Sequence, residues 1–262
     1  RYDRFWRVEP FRRLLARYPT TLTIDDHEIV DNFGSTPTHD VPAWGRVRAG
    51  ALDAFWAFQG LRAKDRSEDG SGAHHRFRIA PFDVFVADLR SERRFEADRC
   101  RVMREAQWSD LEAWLEASQP EDALVLGLGV PLFHLPDRVP QLAVPLLPDG
   151  NAFADRWSAP HLRPDRDRLL GLLVDHRRRR PDQPIVILGG DIHIGCGHEV
   201  RLRGVDGAPV YQLVSSGLSN LDGWPSRAIS RRVVQLAERS DLDVGELRSL
   251  SGEGAPGENP FV

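Results

Sequence analysis

Residues 20–32 read Thr20-Thr-Leu-Thr-Ile-Asp-Asp-His-Glu-Ile-Val-Asp-Asn32. Residues 20–24 are a β-branched run after Tyr18 and Pro19, the pattern of a short buried strand. The run gives way abruptly to Asp25, Asp26, His27 and Glu28. In open α/β sheets, ligands bind at the carboxyl ends of the strands. Three carboxylates gathered there repel one another unless a cation sits among them. Carboxylate oxygen and neutral imidazole nitrogen are both metal donors. Asp25 and Glu28 also have capping-box spacing, so the same acids suit the start of a helix. A second stretch answers the first far down the chain: Ile185-Val-Ile-Leu-Gly-Gly-Asp-Ile-His-Ile194. It is another apolar strand, ending in Asp191 and His193. Two residues apart on an extended segment, these face the same side, and Gly189 and Gly190 let backbone approach a ligand closely.

The rest of the 262-residue chain reads as the scaffold that joins these strand ends. Its length suits one large α/β unit, expected over residues 1–250, with 251–262 a loose tail. A hydrophobic content of 41% and a charged content of 28% are those of a globular chain. A net charge of −4 gives no general attraction to nucleic acid or anionic lipid, so no specific nucleic-acid partner is expected. The strongest basic cluster, residues 177–180, reads as the solvated end of a helix, where cations suit the dipole. Cys100 and Cys196 cannot build a disulfide framework. No run reaches the roughly 18 apolar residues of a membrane span. The chain begins at Arg1 rather than Met, so its compartment, cytoplasmic or exported, is left open, as is its oligomeric state.

In chain order the periodicity predicts an amphipathic helix over 1–18, stopped by Pro19, and a loop over 33–47. A second helix with an aromatic face is expected over 48–62, and a polar turn over 65–72. Strands are expected at 75–80, 82–87, 123–128, 185–188, 200–202, 210–214, 233–236 and 242–250. Helices are expected over 104–118 and 165–180, and the Pro-rich segment 131–148 is expected to be irregular. Strand-helix alternation followed by a strand-rich last third suggests stacked mixed sheets with outer helices.

These motifs, in this order, resemble the alkaline phosphatase D-like (PhoD-like) metallophosphoesterases. Pro19 to Asn32 is similar to their Asp-Asp-His-Glu…Asn motif, and Leu188 to His193 to their Gly-Asp-x-His motif. Phe82 to Ser91 resembles their strand ending in Asp-x-Arg-Ser. Gln107-Trp108, Asp155-Arg-Trp157 and Val210 to Ser216 match further segments. The resemblance spans about residues 5–238. It implies a four-layer αββα sandwich with metals between the carboxyl ends of two mixed central sheets. It also implies hydrolysis of phosphate mono- or diesters, small or lipid-like, by a metal-activated water.

By that resemblance Asp26, Asp191 and His193 are metal ligands, with Asp25 beside them. His27 faces the leaving group, and Asn32 contacts metal or phosphate. Arg90 is a candidate for forking onto phosphate, against the alternative of a structural ion pair with Asp88. Two or more metal ions are implied. The family suggests iron and calcium, while the visible oxygen donors suit calcium, manganese or magnesium. The family's upstream Gly-Asp metal segments are not found here, so the resemblance identifies the chain as the C-terminal part of such a domain. A catalytically incomplete remnant that binds metal or a partner is the alternative reading.

Overall fold

A computed structural model describes residues 2–60, 71–96, 98–148, 151–215 and the backbone of 245–249. Its centre is a seven-stranded mixed sheet. The strands are β1 (His75–Ile79), β2 (Phe82–Val86), β5 (Ala123–Gly127), β6 (Ile185–Gly189), β7 (Cys196–Leu202), β8 (Val210–Val214) and β9 (Gly245–Ser249). β3 (Arg94–Glu96) and β4 (Arg99–Arg101) form a separate two-stranded antiparallel ribbon. Across the main sheet the order is β1-β2-β5-β6-β8-β7-β9. β2, β5, β6 and β8 are parallel, so their carboxyl ends share one edge.

Side-chain alternation gives the sheet two unlike faces. Phe85, Leu126, Ile187 and Gln212 are successive register partners and are buried. Helix α4 (Glu105–Ala117) lays Trp108, Leu111, Trp114 and Leu115 into the core on this face, and α6 (Arg163–Arg179) adds Leu169, Leu170 and Leu173. On the opposite face Val84, Val125, Val186 and Tyr211 are register partners and only half-buried. Next to them Leu188 pairs with Leu213, and these are 43% and 45% exposed. An apolar sheet face of this kind is the surface on which a second sheet packs in a sandwich. A helix layer and a sheet layer of the expected αββα arrangement are thus described.

Several elements differ from the sequence reading. Residues 20–24 join no strand among the described residues. They lie against β1 and β2 through side chains: the Thr23 hydroxyl donates to the Ala87 carbonyl at 3.2 Å, and Thr21 meets the His75 ring. The amphipathic start is two helices, α1 (Tyr2–Trp6) and α2 (Glu9–Arg17). Pro10 explains the break, because its ring clashes with the carbonyl four residues earlier while suiting a first turn. Helix α3 (Pro42–Phe58) likewise starts at a proline inside the expected loop. A short helix, α5 (Arg138–Ala143), interrupts the Pro-rich segment. Arg177, read as solvated, is 1% exposed. The strand expected at 233–236, residues 65–70 of the turn and the tail 251–262 lie outside the described residues.

One buried polar contact fixes the strand end that precedes the site. Gln107 is fully buried; its Oε1 accepts the Asp88 N–H at 2.8 Å and its Nε2 donates to the Asp88 carbonyl at 3.0 Å and to Glu92 at 2.8 Å. Gln107→Ala leaves three buried polar groups without this partner. It is expected to cost about 2 kcal/mol, read by urea unfolding.

Candidate metal centre

The site gathers at the shared carboxyl edge of the parallel strands. Asp25 caps a 3₁₀ turn over Asp26–Glu28, and the predicted capping box is present: the Asp25 N–H donates to Glu28 at 2.8 Å, and the Asp25 carboxylate accepts a backbone N–H from the turn. This turn aims Asp26 inward, where it is 3% exposed. Its Oδ1 accepts the His27 N–H at 2.8 Å and its Oδ2 the Asn32 N–H at 2.6 Å. On the other motif, β6 runs out into Gly189 and Gly190. A Cβ on Gly189 would stand 3.3 Å from Pro131, so the chain passes closely there. Asp191 follows. Carboxylate oxygens of Asp25, Asp26 and Asp191 all lie within 4.8 Å of one another.

Backbone strain marks the same segments. Asn32, Asp191 and His193 have φ of 53°, 66° and 58°, and they are the non-glycine residues with positive φ among those described. The left-handed region is costly for such side chains, and residues held there concentrate at functional sites. His193 stands outside the three-carboxylate group. A second group joins Asp26, His27 and Asp31 nearer the surface. His27 is half-exposed with Nε2 3.3 Å from Asp31, and the Asn32 side-chain amide donates to Asp31 at 3.1 Å.

Arginines hold the carboxylates apart. Arg90 is fully buried; its Nε donates to Asp25 at 2.7 Å, its Nη1 to Asp155 at 2.8 Å and the Phe33 carbonyl at 3.2 Å, and its Nη2 to Asp155 at 2.7 Å and Asp191 at 3.3 Å. Arg93 also bonds Asp155, and Arg156 bonds Asp191. Of the two readings of Arg90 from sequence, a phosphate fork and a structural ion pair, the observed contacts are ion pairs within the protein. A buried guanidinium whose donors already meet three carboxylates and a carbonyl orders those groups instead. The Asp88 alternative is also refined: Asp88 accepts the backbone N–H groups of Arg90 and Ser91, not the Arg90 guanidinium. Burial works against the Arg90 charge, but Asp155, Asp25 and Asp26 hold its pKa well above the ordinary value. Burial also works to raise Asp155, yet Arg90 and Arg93 hold it below the carboxylate range. Asp191 goes the other way: burial raises it, against the pull of Arg156 and Arg90.

Asp155, Arg93 and Arg156 were not picked as site residues. The family segment containing Asp155 was the one available signal. Their part rests on contacts between loops distant in sequence, which no local pattern carries.

The donor set can be tested against the metals that the fold implies. Three carboxylates from two distant segments are hard oxygen donors, and such a set fits a calcium, magnesium or manganese ion. Cys196, on β7, does not belong to it.

A mixed sheet with acidic residues converging near its carboxyl edge defines an α/β fold with a candidate cation site. The family described as PhoD-like phosphatase matches residues 1–243, and the chain belongs to that family. Among solved structures, that of PhoD matches at a TM-score of 0.55 and 16% identity over 73% of this chain and 38% of that one. The chain thus spans well under half the length of that relative. A purple acid phosphatase from yellow lupin (Lupinus luteus) seeds is similar at a TM-score of 0.36 and 9% identity, over 59% of this chain and 24% of that one. No curated protein sequence matches the chain. No described helix is long and apolar enough to cross a membrane.

Proposed function

We propose that this chain carries part of a cation-dependent phosphoesterase site in which Asp25, Asp26 and Asp191 hold the metal. The observation that carries the reading is the convergence of these three carboxylates, from segments far apart in sequence, to within 4.8 Å. A bound divalent cation there would supply an acidified water and neutralise phosphoryl oxygens. The protein's own part is positional. The N–H groups of His27 and Asn32 fix the Asp26 carboxylate, and the left-handed turn at Asp191 presents its carboxylate to the other two. His27, half-exposed beside Asp31, is proposed to protonate a leaving alkoxide, a reading its exposure supports. His193 and the Asn32 amide are proposed to complete the metal and phosphate contacts. Calcium, manganese or magnesium follows from the oxygen donors, and iron from the family alone. Phosphate mono- or diesters, including lipid-like ones, are the proposed substrates.

One observation favours the second reading, a remnant that binds metal or a partner without turnover. Arg90 and Arg156 already bond Asp25 and Asp191, so much of the negative charge is met within the protein. Hydrolysis of p-nitrophenyl phosphate and bis-p-nitrophenyl phosphate, with each cation added, separates the two. Cation affinity is measured alongside by calorimetry. For the enzyme reading, Asp26→Ala and Asp191→Ala are expected to lower turnover and cation affinity together by about a hundredfold or more. Cation binding without turnover selects the remnant. Turnover and affinity that are indifferent to both substitutions sink the assignment.

A further inference from the structure

At the opposite end of the sheet lies a cavity of about 800 Å³. Its walls come from the end of α6, the end of β7 and the turn leading into β8. The five residues of β6 separate it from Asp191, roughly 16 Å at strand rise. Arg177, Arg178, Arg201 and Arg203 line it, and Asp206 is the acidic residue among the lining. Pro181 and Val205 contribute aliphatic wall.

The charge here is balanced differently from that around Arg90. The Arg177 Nη1 donates to the carbonyls of Pro181 at 2.8 Å and Gln183 at 2.7 Å, and its Nε is buried without a hydrogen-bond partner. Carbonyls satisfy N–H groups but do not cancel a positive charge. Burial accordingly holds the Arg177 pKa below its ordinary value, whereas that of Arg90 is raised among carboxylates. Arg178 pairs with Asp175 at 2.8 Å and Arg201 with Glu199 at 3.2 Å, and both arginine side chains are more than half exposed. Exposed pairs of this sort are weak and free to turn toward a stronger anion. Gly207 keeps the turn tight, because a Cβ there would meet the Pro181 carbonyl at 2.5 Å and Arg177 at 2.7 Å.

We propose that this cavity binds an organic molecule carrying two or more phosphate groups. Several guanidinium forks suit more than one phosphate. The aliphatic wall and a volume in the range of small-molecule sites call for an organic body as well. This goes beyond the phosphoesterase reading and does not rest on it.

Calorimetric titration with ADP and with pyrophosphate, in EDTA, tests the proposal. EDTA keeps divalent cations off the acidic cluster, and turnover does not enter the measurement. The full chain is compared with Arg178→Gln/Arg201→Gln, Arg178→Lys/Arg201→Lys and Asp26→Asn/Asp191→Asn. One saturable ADP site is expected in the wild-type chain and in the acidic variant. The glutamine variant is expected to bind roughly tenfold or more weakly, and the lysine variant in between, with circular dichroism spectra superimposable. Pyrophosphate is expected to bind at the same site more weakly than ADP, since it leaves the aliphatic wall uncovered. Absence of ADP binding to the wild-type chain overturns the proposal. So does binding that the glutamine variant keeps, or that the acidic variant loses.

Discussion

Arg90→Met is expected to destabilise the fold by about 3–5 kcal/mol, the cost of breaking a buried ion pair from one side. In a chain of this size that corresponds to a fall of roughly 10 °C in the thermal midpoint. Arg90 and Asp155 are both fully buried and joined by two hydrogen bonds of 2.7 and 2.8 Å. With methionine in place, Asp155 keeps only Arg93, while Asp25 and Asp191 lose the cation between them. Arg90→Lys is expected to lose most of the same stability, because an ammonium cannot fork onto one carboxylate and reach two others. Adding Asp155→Asn to Arg90→Met is expected to recover part of the loss by removing the stranded charge. Thermal unfolding of the four proteins checks this. A midpoint for Arg90→Met equal to that of the wild-type chain would show that Arg90 does not balance these carboxylates.

Acid is expected to destabilise the protein well above the pH at which carboxylates titrate. Burial pushes His198 down to about 4. The residue is 2% exposed, and its Nδ1 is buried without a hydrogen-bond partner. Burial, with Arg156 and His198 nearby, pushes His134 down to about 3. An unfolded imidazole titrates near 6.5. The folded values are depressed, so below about pH 6.5 the unfolded chain takes up protons first. The stabilisation is fully present above about pH 6.5 and is lost progressively as pH falls toward 4 for His198 and 3 for His134. From His198 alone, unfolding free energy is expected to be about 2 kcal/mol lower at pH 5 than at pH 7.5. His39, His161 and His176, lowered chiefly by burial, act in the same direction. Asp191 and Glu28, raised by burial, act in the opposite one, since the folded chain protonates them first. Asp155 is depressed, so its stabilisation is present above the ordinary carboxylate range and is lost as pH falls through and below that range. Urea unfolding at the two pH values, on wild type and His198→Gln, measures the effect. An unchanged slope in the variant would remove His198 as its source.

The same distinction between local and tertiary control runs through the fold. The sequence by itself determined which segments are strands of the sheet's centre, because 82–87, 123–128 and 185–188 are short apolar runs of strand length. It also showed acidic residues following both apolar runs, at 25–26 and at 191, and the structure brings these within 4.8 Å. The capping box at Asp25 was legible because it closes within four residues. Prolines 10 and 42 carried readable signals for new helix starts that the periodicity reading passed over.

Tertiary structure alone decided the rest. Residues 20–24 have strand composition, but a strand needs a ladder partner, and none of the described segments offers one. The run at 177–180 looked solvated because a charge run usually is. Arg177 is instead buried, its donors taken by carbonyls from turns on either side. His193 keeps its place in the motif yet stands outside the carboxylate group, because the left-handed backbone at Asp191 and His193 breaks the same-side rule of an extended chain. The network of Arg90, Arg93, Arg156 and Asp155 was invisible for a related reason. A buried charge is stable only beside its partner, and here the partners arrive from loops far apart in the chain.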